Sequence, residues 1–339
     1  MASAKWTTTR VQTPCGQVPA VAPEIISASR STDIPAFFSE WFMNRLRAGY
    51  VKWTNPFNQR PQYVSFERTR VVVFWSKDPQ PLLRYLDELE HLGIAYYVQF
   101  TLNDYEREGL EPGVPPLGKR IRTFAELSRS IGRDRIVWRF DPLILSEDLT
   151  VDELLKRIEK VGDQVSSWTS RLVFSFVDIA LYRKVRSNLA KHGGAYRELD
   201  EGEIAQAAAG IATLCRDWGI RALTCAEAVD LAEYGIGHNK CIDDDLILKI
   251  TSNDLALRRL LRGPGAEERL PLGEDGGPAS EHVKDTGQRE ACQCAPSKDI
   301  GQYNTCPHLC IYCYANTSAT AVRRNVGKAV LESESITGA

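Results

Sequence analysis

Apolar residues along this chain come in short unbroken runs separated by amphipathic stretches. The first run is "EIISAS" (24–29). "IPAFFSEWFMNRLRAG" follows it with a helical pattern that stops at Gly49. "VVVFW" (71–75) precedes "PQPLLRYLDELEHLG", where Leu82, Leu86 and Leu89 share one helix face and Gly93 ends the helix. "AYYVQFTL" (95–102) precedes a helix expected near 119–132. "RIVWRF" (135–140) precedes "TVDELLKRIEKVG", with Leu154, Ile158 and Val161 on one face. "RLVFSFV" (171–177) leads to a helix near 180–191, and a helix around 201–218 leads to "IRALTC" (220–225).

The runs are continuous in hydrophobicity rather than alternating, which is the signature of strands buried on both faces of a parallel sheet. Strand–helix repetition of this kind predicts a (β/α) barrel, TIM-like or partial, over residues 24–260. The competing architecture is an open doubly wound sheet. It is disfavoured because no glycine-rich dinucleotide fingerprint follows the first run. Residues 1–23, polar and holding Pro19 and Pro23, are expected to be a loose arm. Residues 261–290 are rich in Gly, Pro and charge and read as a linker. A cysteine-cluster segment occupies 291–325. The tail 326–339, ending in "ESESITGA", is expected to be disordered.

Composition narrows the function classes. The 339 residues are 43% hydrophobic and 25% charged with a net charge of -2, so no global field draws the chain to nucleic acid or membrane. No apolar run is long enough to span a bilayer, and the N-terminus lacks the apolar stretch of a signal peptide. The expected location is the cytoplasm, where thiols stay reduced and clustered cysteines point to metal rather than disulfides.

In parallel (β/α) folds, chemistry gathers at the carboxyl ends of the strands. Here those positions are polar: Arg30, Thr32 and Asp33; Lys77 and Asp78; Asn103 and Asp104; Arg139 and Asp141; Asp178; Cys225 and Glu227. Each taken singly is equally well read as a helix cap or a surface ion pair, and Asp33 and Asp78 look most like caps. Arg139 and Asp141 flank Phe140 and so project to one side, and Glu227 relates to Cys225 in the same way. Arg30, Arg139, Asp141 and Glu227 are the candidate catalytic residues. Thr32 and Lys77 are candidate cofactor contacts.

Five of the nine cysteines lie between 292 and 313, within "ACQCAPSKDIGQYNTCPHLCIYCYAN" (291–316). Cys306, Cys310 and Cys313 have the spacing C-x3-C-x2-C. Three thiolates suit a [4Fe–4S] cluster that leaves one iron without a protein ligand, whereas a structural zinc site normally takes four ligands. Cys292 and Cys294 form a C-x-C pair, and Cys241 sits in the polar "HNKCIDDD". The pair, joined by Cys241 or Cys225, is a candidate for a second metal centre, the alternative being inert loop thiols. Cys215 falls on an apolar helix face and reads as core, Cys15 has no expected role, and His308 reads as loop rather than ligand.

The segment from Cys306 to Cys313, with Tyr312 before the last cysteine, resembles the cluster motif of the radical S-adenosylmethionine superfamily. That superfamily uses partial or full (β/α) barrels. Its motif usually lies near the start of the barrel, whereas here the strands come first. The whole chain resembles more closely the domain-of-unknown-function family numbered 1848, through "IISASRSTDIPAFFSEWFMNRL", "VVFWSKDPQPLL", "WRFDPLIL", "CAEAVDL", "KCIDDDLI" and "CPHLCIYCYAN". A circular permutation would explain the order, with the cluster loop closing on the barrel mouth from the C-terminal side. The resemblance implies S-adenosylmethionine chelated to the open iron, Tyr312 beside the adenine, and a 5′-deoxyadenosyl radical that abstracts hydrogen from a substrate in the barrel. The implied partners are that substrate and an electron donor. Two other readings stay open. One is a barrel with a structural zinc or iron–sulfur module that binds a protein or nucleic acid, for which Arg323, Arg324 and Lys328 would be the basic contacts. The other is a metal-independent barrel hydrolase with a structural cluster.

Overall fold

The computed structural model describes residues 6–252, 254–263 and 283–338. The chain opens with an antiparallel hairpin of β1 (Thr8–Thr13) and β2 (Gly16–Val21). This corrects the expectation of a loose arm. Exposure rather than residue type alternates here, and Val11 and Ala20 turn inward onto Tyr50. Pro19 obscured that pattern in the sequence, but it is tolerated because the next strand meets β2 only at Ala20 and Val21.

After β3 (Ile25–Ala28), β4 (Tyr50–Thr54) and β5 (Pro61–Ser65) form a second hairpin that joins the first in a small sheet of order β1-β2-β5-β4. The remaining strands are β6 (Val71–Ser76), β7 (Ala95–Thr101), β8 (Ile136–Leu143), β9 (Arg171–Phe176), β10 (Arg221–Thr224), β11 (Gly237–His238) and β12 (Lys298–Asp299). With β3 they make an eight-stranded sheet of order β11-β10-β9-β8-β7-β6-β3-β12, parallel at every junction. All six predicted runs are strands of this sheet. The two short strands at its ends, β11 and β12, carried too few residues to signal themselves.

Both faces are covered, which is why the runs are continuous in hydrophobicity. One face presents Val72, Phe74, Val98, Trp138 and Phe140 to the connecting helices, among them Leu117–Ile131, Val151–Val165 and Glu201–Asp217. Asp200 and Glu203 start the last of these with a reciprocal capping box. The other face presents Ile25, Val71, Val73, Tyr97 and Val173 to a plug formed by helices Asp244–Ile250 and Leu255–Arg262 with Cys292, Cys294 and Ala295.

The C-terminal segment is therefore built into the sheet. β12 pairs beside β3, with Asp299 opposite Ser27. The Asp299 carboxylate accepts from Ser27 Oγ at 3.0 Å, from the Arg30 amide at 2.9 Å and from the Gly301 amide at 2.8 Å. Gly301 must be glycine, since a Cβ there would stand 1.7 Å from Ser29 Oγ. The small sheet braces the same segment: Trp53 Nε1 donates to the Gly301 carbonyl at 2.9 Å, and Lys298 Nζ lies 3.2 Å from the Trp53 ring centroid. The tail, expected to be disordered, is docked. Trp41 Nε1 donates to the Ser333 carbonyl at 2.8 Å, the Lys52 amide of edge strand β4 donates to the Glu334 carbonyl at 2.8 Å, and Ile336 is buried. An unpaired strand edge and the single buried Ile336 suffice to dock the mostly polar end of the chain. Most of the expected linker, 264–282, lies outside the described residues. No helix among the described residues is long and apolar enough to cross a membrane.

Asp299→Ala leaves one hydroxyl and two amide donors without their acceptor. It is expected to cost about 2 kcal/mol or more and to expose the segment after residue 283 to proteolysis. Ser27→Ala, which removes one bond and its own donor, should cost far less. Urea unfolding midpoints and limited proteolysis of the two variants check this, and equal midpoints would show that Asp299 does not hold β12.

Candidate functional site

Because every strand of the large sheet runs the same way, all the carboxyl ends lie along one edge. β3 runs into Ser29–Asp33, β6 into Lys77, β7 into Asn103, β10 into Cys225 and Glu227, and Arg139 and Asp141 lie at the end of β8. β12 runs into the loop that carries Cys306, Cys310 and Cys313. The sequence-predicted polar residues and the three-cysteine loop thus share one rim.

Two latches hold the loop. Asp33 caps helix Ile34–Phe37 by accepting from the Ala36 amide at 2.9 Å, as its sequence context suggested. It also accepts from Ser76 Oγ at 2.8 Å and from the Lys77 amide at 2.7 Å, and its Oδ2 lies 2.8 Å from His308 Nε2. His308 is buried, with Nδ1 3.0 Å from the Gly113 carbonyl. His308 is therefore an anchor between two cysteines rather than a free ligand. The second latch is Gly113, whose amide donates to the His308 carbonyl at 2.9 Å. A Cβ on Gly113 would stand 2.4 Å from the Pro307 carbonyl oxygen, so only glycine lets the two backbones approach.

The three thiols are grouped closely enough to interact electrostatically, and burial is the main reason each has a raised pKa, Cys306 to about 12. Backbone amides are aimed at their sulfurs: His308 and Asp33 at Cys306, Ala315 and Asn316 at Cys313, the Ala315 amide at 3.3 Å. Groups so costly to ionise in isolation, yet already provided with N–H donors, suit a cationic centre that would displace their protons. Tetrahedral zinc, at about 2.3 Å from each sulfur, sets the sulfurs roughly 3.8 Å apart. Among the described residues, no three cysteine sulfurs all come within 4.8 Å of one another.

Beside Cys310 lies a buried polar knot. Lys77 Nζ donates to Glu111 Oε1 at 2.7 Å and to the Tyr312 hydroxyl at 3.0 Å, and the same hydroxyl donates to Glu111. Asn103 Nδ2 donates to Glu111 Oε1 at 2.9 Å and to the Asp141 carbonyl at 3.0 Å, while its Oδ1 accepts from the Asp141 amide at 2.8 Å. Burial alone would raise the Glu111 pKa, but Lys77 and Arg120 outweigh it and hold the group below its usual range. Burial would likewise lower the Lys77 pKa, and Glu111 and Cys310 reverse this. The knot thus joins three strand ends to the residue before the last cysteine. Glu111 was missed in the sequence because "EREGLEPGVPP" carries no motif, and only long-range contact gives it a role.

Arg139 and Asp141 do project to one side, where they pair with each other. Arg139 Nη2 donates to Asp141 Oδ2 at 2.5 Å, and Ser175 Oγ also donates to Asp141. Arg139 Nη1 lies 3.1 Å from Cys241 Sγ. Burial would lower the Arg139 pKa, but Cys225, Asp141 and Cys241 more than reverse that and keep it charged. Glu227 accepts from the Phe176 amide at 2.9 Å, and burial pushes its carboxyl up to about 7. Arg30 stacks over Trp75 at 5.1 Å, and its carbonyl accepts from the Tyr314 hydroxyl at 2.8 Å. Arg30 Nη2 and Thr32 Oγ1 are buried without a hydrogen-bond partner. Cys241, Cys292 and Cys294 are buried together in the plug, apart from the three-cysteine loop in sequence. Cys215 is core, its pKa pushed up to about 12 by burial, and Cys15 is exposed in the first hairpin turn.

Elsewhere, the carboxylates of Asp243, Asp244 and Asp245 lie within 4.8 Å of one another, at a polar cavity of about 280 Å³ lined by Asp243, Asp245, Asp134 and Ser170. Asp134 and Ser170 precede β8 and β9, so this cavity lies at the opposite end of the strands from the cysteine loop. Arg171, Lys240 and Arg262 pair with the three acids, which marks the group as a structural ion network.

No curated protein and no solved structure matches this chain. The model of one family, described as Domain of unknown function (DUF1848), matches residues 25–315, from the start of β3 to just past the third cysteine of the loop. The match takes in the large sheet, the rim residues and both sets of clustered cysteines, and the chain belongs to the DUF1848 family.

Proposed function

We propose that this chain is a radical S-adenosylmethionine-type enzyme on a permuted (β/α) barrel. The observation that carries the reading is the placement of Cys306, Cys310 and Cys313. They are three thiols, Cys310 buried and Cys306 and Cys313 half-buried, on a loop that follows a parallel strand and lies over the carboxyl edge of the sheet. Read in spatial order from β12, the sheet runs strand, cysteine loop, helix Ala319–Val326, and then β3, β6, β7, β8, β9, β10 and β11. On this reading the chain order is a permutation of the superfamily's, with the strand before the cysteine loop taken as the first of the sheet.

Cys306, Cys310 and Cys313 would hold a [4Fe–4S] cluster. When bound, it would supply one-electron reduction of the sulfonium of S-adenosylmethionine, the electron coming from a low-potential donor. The protein's part is positional. Arg30 offers an unpaired, buried Nη2 on the loop after β3. Thr32 Oγ1 is a second unpaired polar atom on the same loop. The Lys77–Glu111 pair fixes the Tyr312 hydroxyl, and with it the backbone between Cys310 and Cys313, as a face for the adenine. Glu227, with a pKa near neutrality, is the group suited to exchange a proton with the substrate.

Changing any one of Cys306, Cys310 or Cys313 to Ala should remove about four irons per chain and abolish formation of 5′-deoxyadenosine from S-adenosylmethionine and dithionite. Cys15→Ser should leave both unchanged. Anaerobically prepared protein that carries zinc instead of iron, or a reducible cluster that yields no 5′-deoxyadenosine, would overturn the reading.

Lys77 and Glu111 act through their neighbours. Lys77→Met removes one of the two cations, Lys77 and Arg120, that offset the Glu111 carboxylate beside Cys310. The midpoint potential of the cluster should then move to more negative values, since an added electron faces a less compensated negative charge. Lys77→Arg should largely restore it. A potentiometric titration followed by electron paramagnetic resonance reads the shift, and an unchanged potential in Lys77→Met would show that the knot does not sense the cluster.

A further inference from the structure

Seven of the nine cysteines fall into two groups, and the second group has four members. Cys225 follows β10, Cys241 lies in the crossing that leads from β11 to the plug, and Cys292 and Cys294 come from the segment returning toward β12. We infer that these four cysteines are the ligands of a second iron–sulfur centre, distinct from the one at Cys306, Cys310 and Cys313, with Cys225 and Cys241 both joining the Cys292 and Cys294 pair.

Backbone pairing gathers the four. The Cys241 carbonyl accepts from the Tyr97 hydroxyl at 2.7 Å and from Gln99 Nε2 at 2.9 Å, which pins the crossing to the inner face of β7. The Ala295 amide donates to the Ile242 carbonyl at 3.0 Å and the Asp285 amide to the Cys294 carbonyl at 2.8 Å, which pins the returning segment to the crossing. Cys225 Sγ then lies 3.3 Å from Cys241 Sγ, and Cys294 is in hydrogen-bond contact with both Cys241 and Cys292. The sulfurs form a string of four, all of them free thiols.

The surroundings are those of an anionic centre. Three N–H donors point at sulfur: Arg139 Nη1 at 3.1 Å and Asn239 Nδ2 at 3.4 Å from Cys241, and the Ile242 amide at 3.4 Å from Cys294. A neutral thiol is a poor acceptor, and three such donors are better used by thiolates. Two guanidiniums flank the string, Arg139 and Arg30, and Cys294 and Cys241 are among the nearest opposite charges to Arg30. Four thiolates around a [4Fe–4S] core carry about two net negative charges, which two arginines match. The rest of the wall is apolar: Ile25, Val71, Val73, Ile242 and Ala295. A zinc site made of four thiolates would need the sulfurs drawn to roughly 3.8 Å on every edge. Here the sulfurs touch only neighbour to neighbour along the string, and no three of them lie mutually within 4.8 Å among the described residues; stoichiometric zinc is the outcome that the metal analysis below distinguishes.

With every iron held by protein thiolate, this centre offers no position to a substrate, and its chemistry is outer-sphere electron transfer. Arg30 spans the two groups, its guanidinium toward Cys294 and Cys241 and its carbonyl bonded to Tyr314, the neighbour of Cys313. The assignment does not depend on radical chemistry at the other centre. The experiment is iron, zinc and acid-labile sulfide analysis, with Mössbauer spectra, of the full chain prepared anaerobically. Wild type should hold about eight irons, and the variant with Cys306, Cys310 and Cys313 all changed to Ala should keep about four. Cys225→Ser combined with Cys292→Ser should lose about four while keeping the spectrum of the three-cysteine centre. Far-ultraviolet circular dichroism checks that each variant is folded. A folded triple variant without iron, stoichiometric zinc, or an unchanged iron content in the Cys225/Cys292 double variant would overturn the inference. Failure of 5′-deoxyadenosine formation alone would not, since that tests the other centre.

Discussion

The carboxylate of Asp299 ties the last strand of the chain to the first strand of the large sheet, and both cysteine groups depend on that tie. It takes donors from Ser27, Arg30 and Gly301 at once. Cys294 lies just before it and Cys306 just after it, so its position sets where both groups stand. The strand it anchors has only two paired residues, Lys298 and Asp299, too few to hold by ladder bonds alone. A charge-assisted hub accepting three hydrogen bonds supplies what the short strand lacks. Trp53, Trp41 and the docked tail reinforce it from outside. The small antiparallel sheet thus acts as a clamp on the C-terminal segment.

At the rim, buried charge is the organising cost. Lys77, Glu111, Arg139 and Asp141 all leave water on folding, and a buried ion pair is a weak source of stability because desolvation offsets attraction. These pairs are kept because each also holds something else. Lys77 and Glu111 hold the Tyr312 hydroxyl, and Arg139 reaches Cys241 beyond its carboxylate. In a medium of low dielectric, fixed charges of this kind act strongly on whatever anionic centre lies beside them. The same arrangement with neutral thiols would leave several N–H donors pointed at poor acceptors.

Much of the large sheet was legible because burial on both faces writes itself as continuous apolar runs. All six such runs are strands, and the helical faces of Leu154, Ile158 and Val161 are buried as their spacing required. What escaped notice shares one cause: the stabilising partner is distant in sequence. β1 and β2 looked like an arm because their alternation is weak until Tyr50 covers Val11 and Ala20. The tail looked disordered because its hydrogen bonds are made to Trp41 and Lys52, nearly three hundred residues away. Glu111 has unremarkable neighbours in the chain and acquires meaning only beside Lys77. Asp33 was legible as a cap, and its hold on His308 was not.

A parallel sheet constrains where its loops emerge but not the order in which the chain visits its strands. Every carboxyl end points to one edge, so a strand contributed by the C-terminus places its loop on the same rim as one contributed by the N-terminus. What changes is the cost of assembly. The contacts that seat the cysteine loop join residues far apart in the chain, as in Asp33 with His308 and Ser27 with Asp299. Such long-range closure is entropically demanding, and its cost rises only slowly with the length of the loop closed. Once the strands are paired, a few well-placed anchors are enough to dock the segment. The anchors seen here fit that demand: a buried histidine between two acceptors, a glycine that admits close backbone contact, and one aspartate with three donors. The rim can therefore be built from the first strands and completed by the last segment, with both groups of cysteines meeting only in the finished fold.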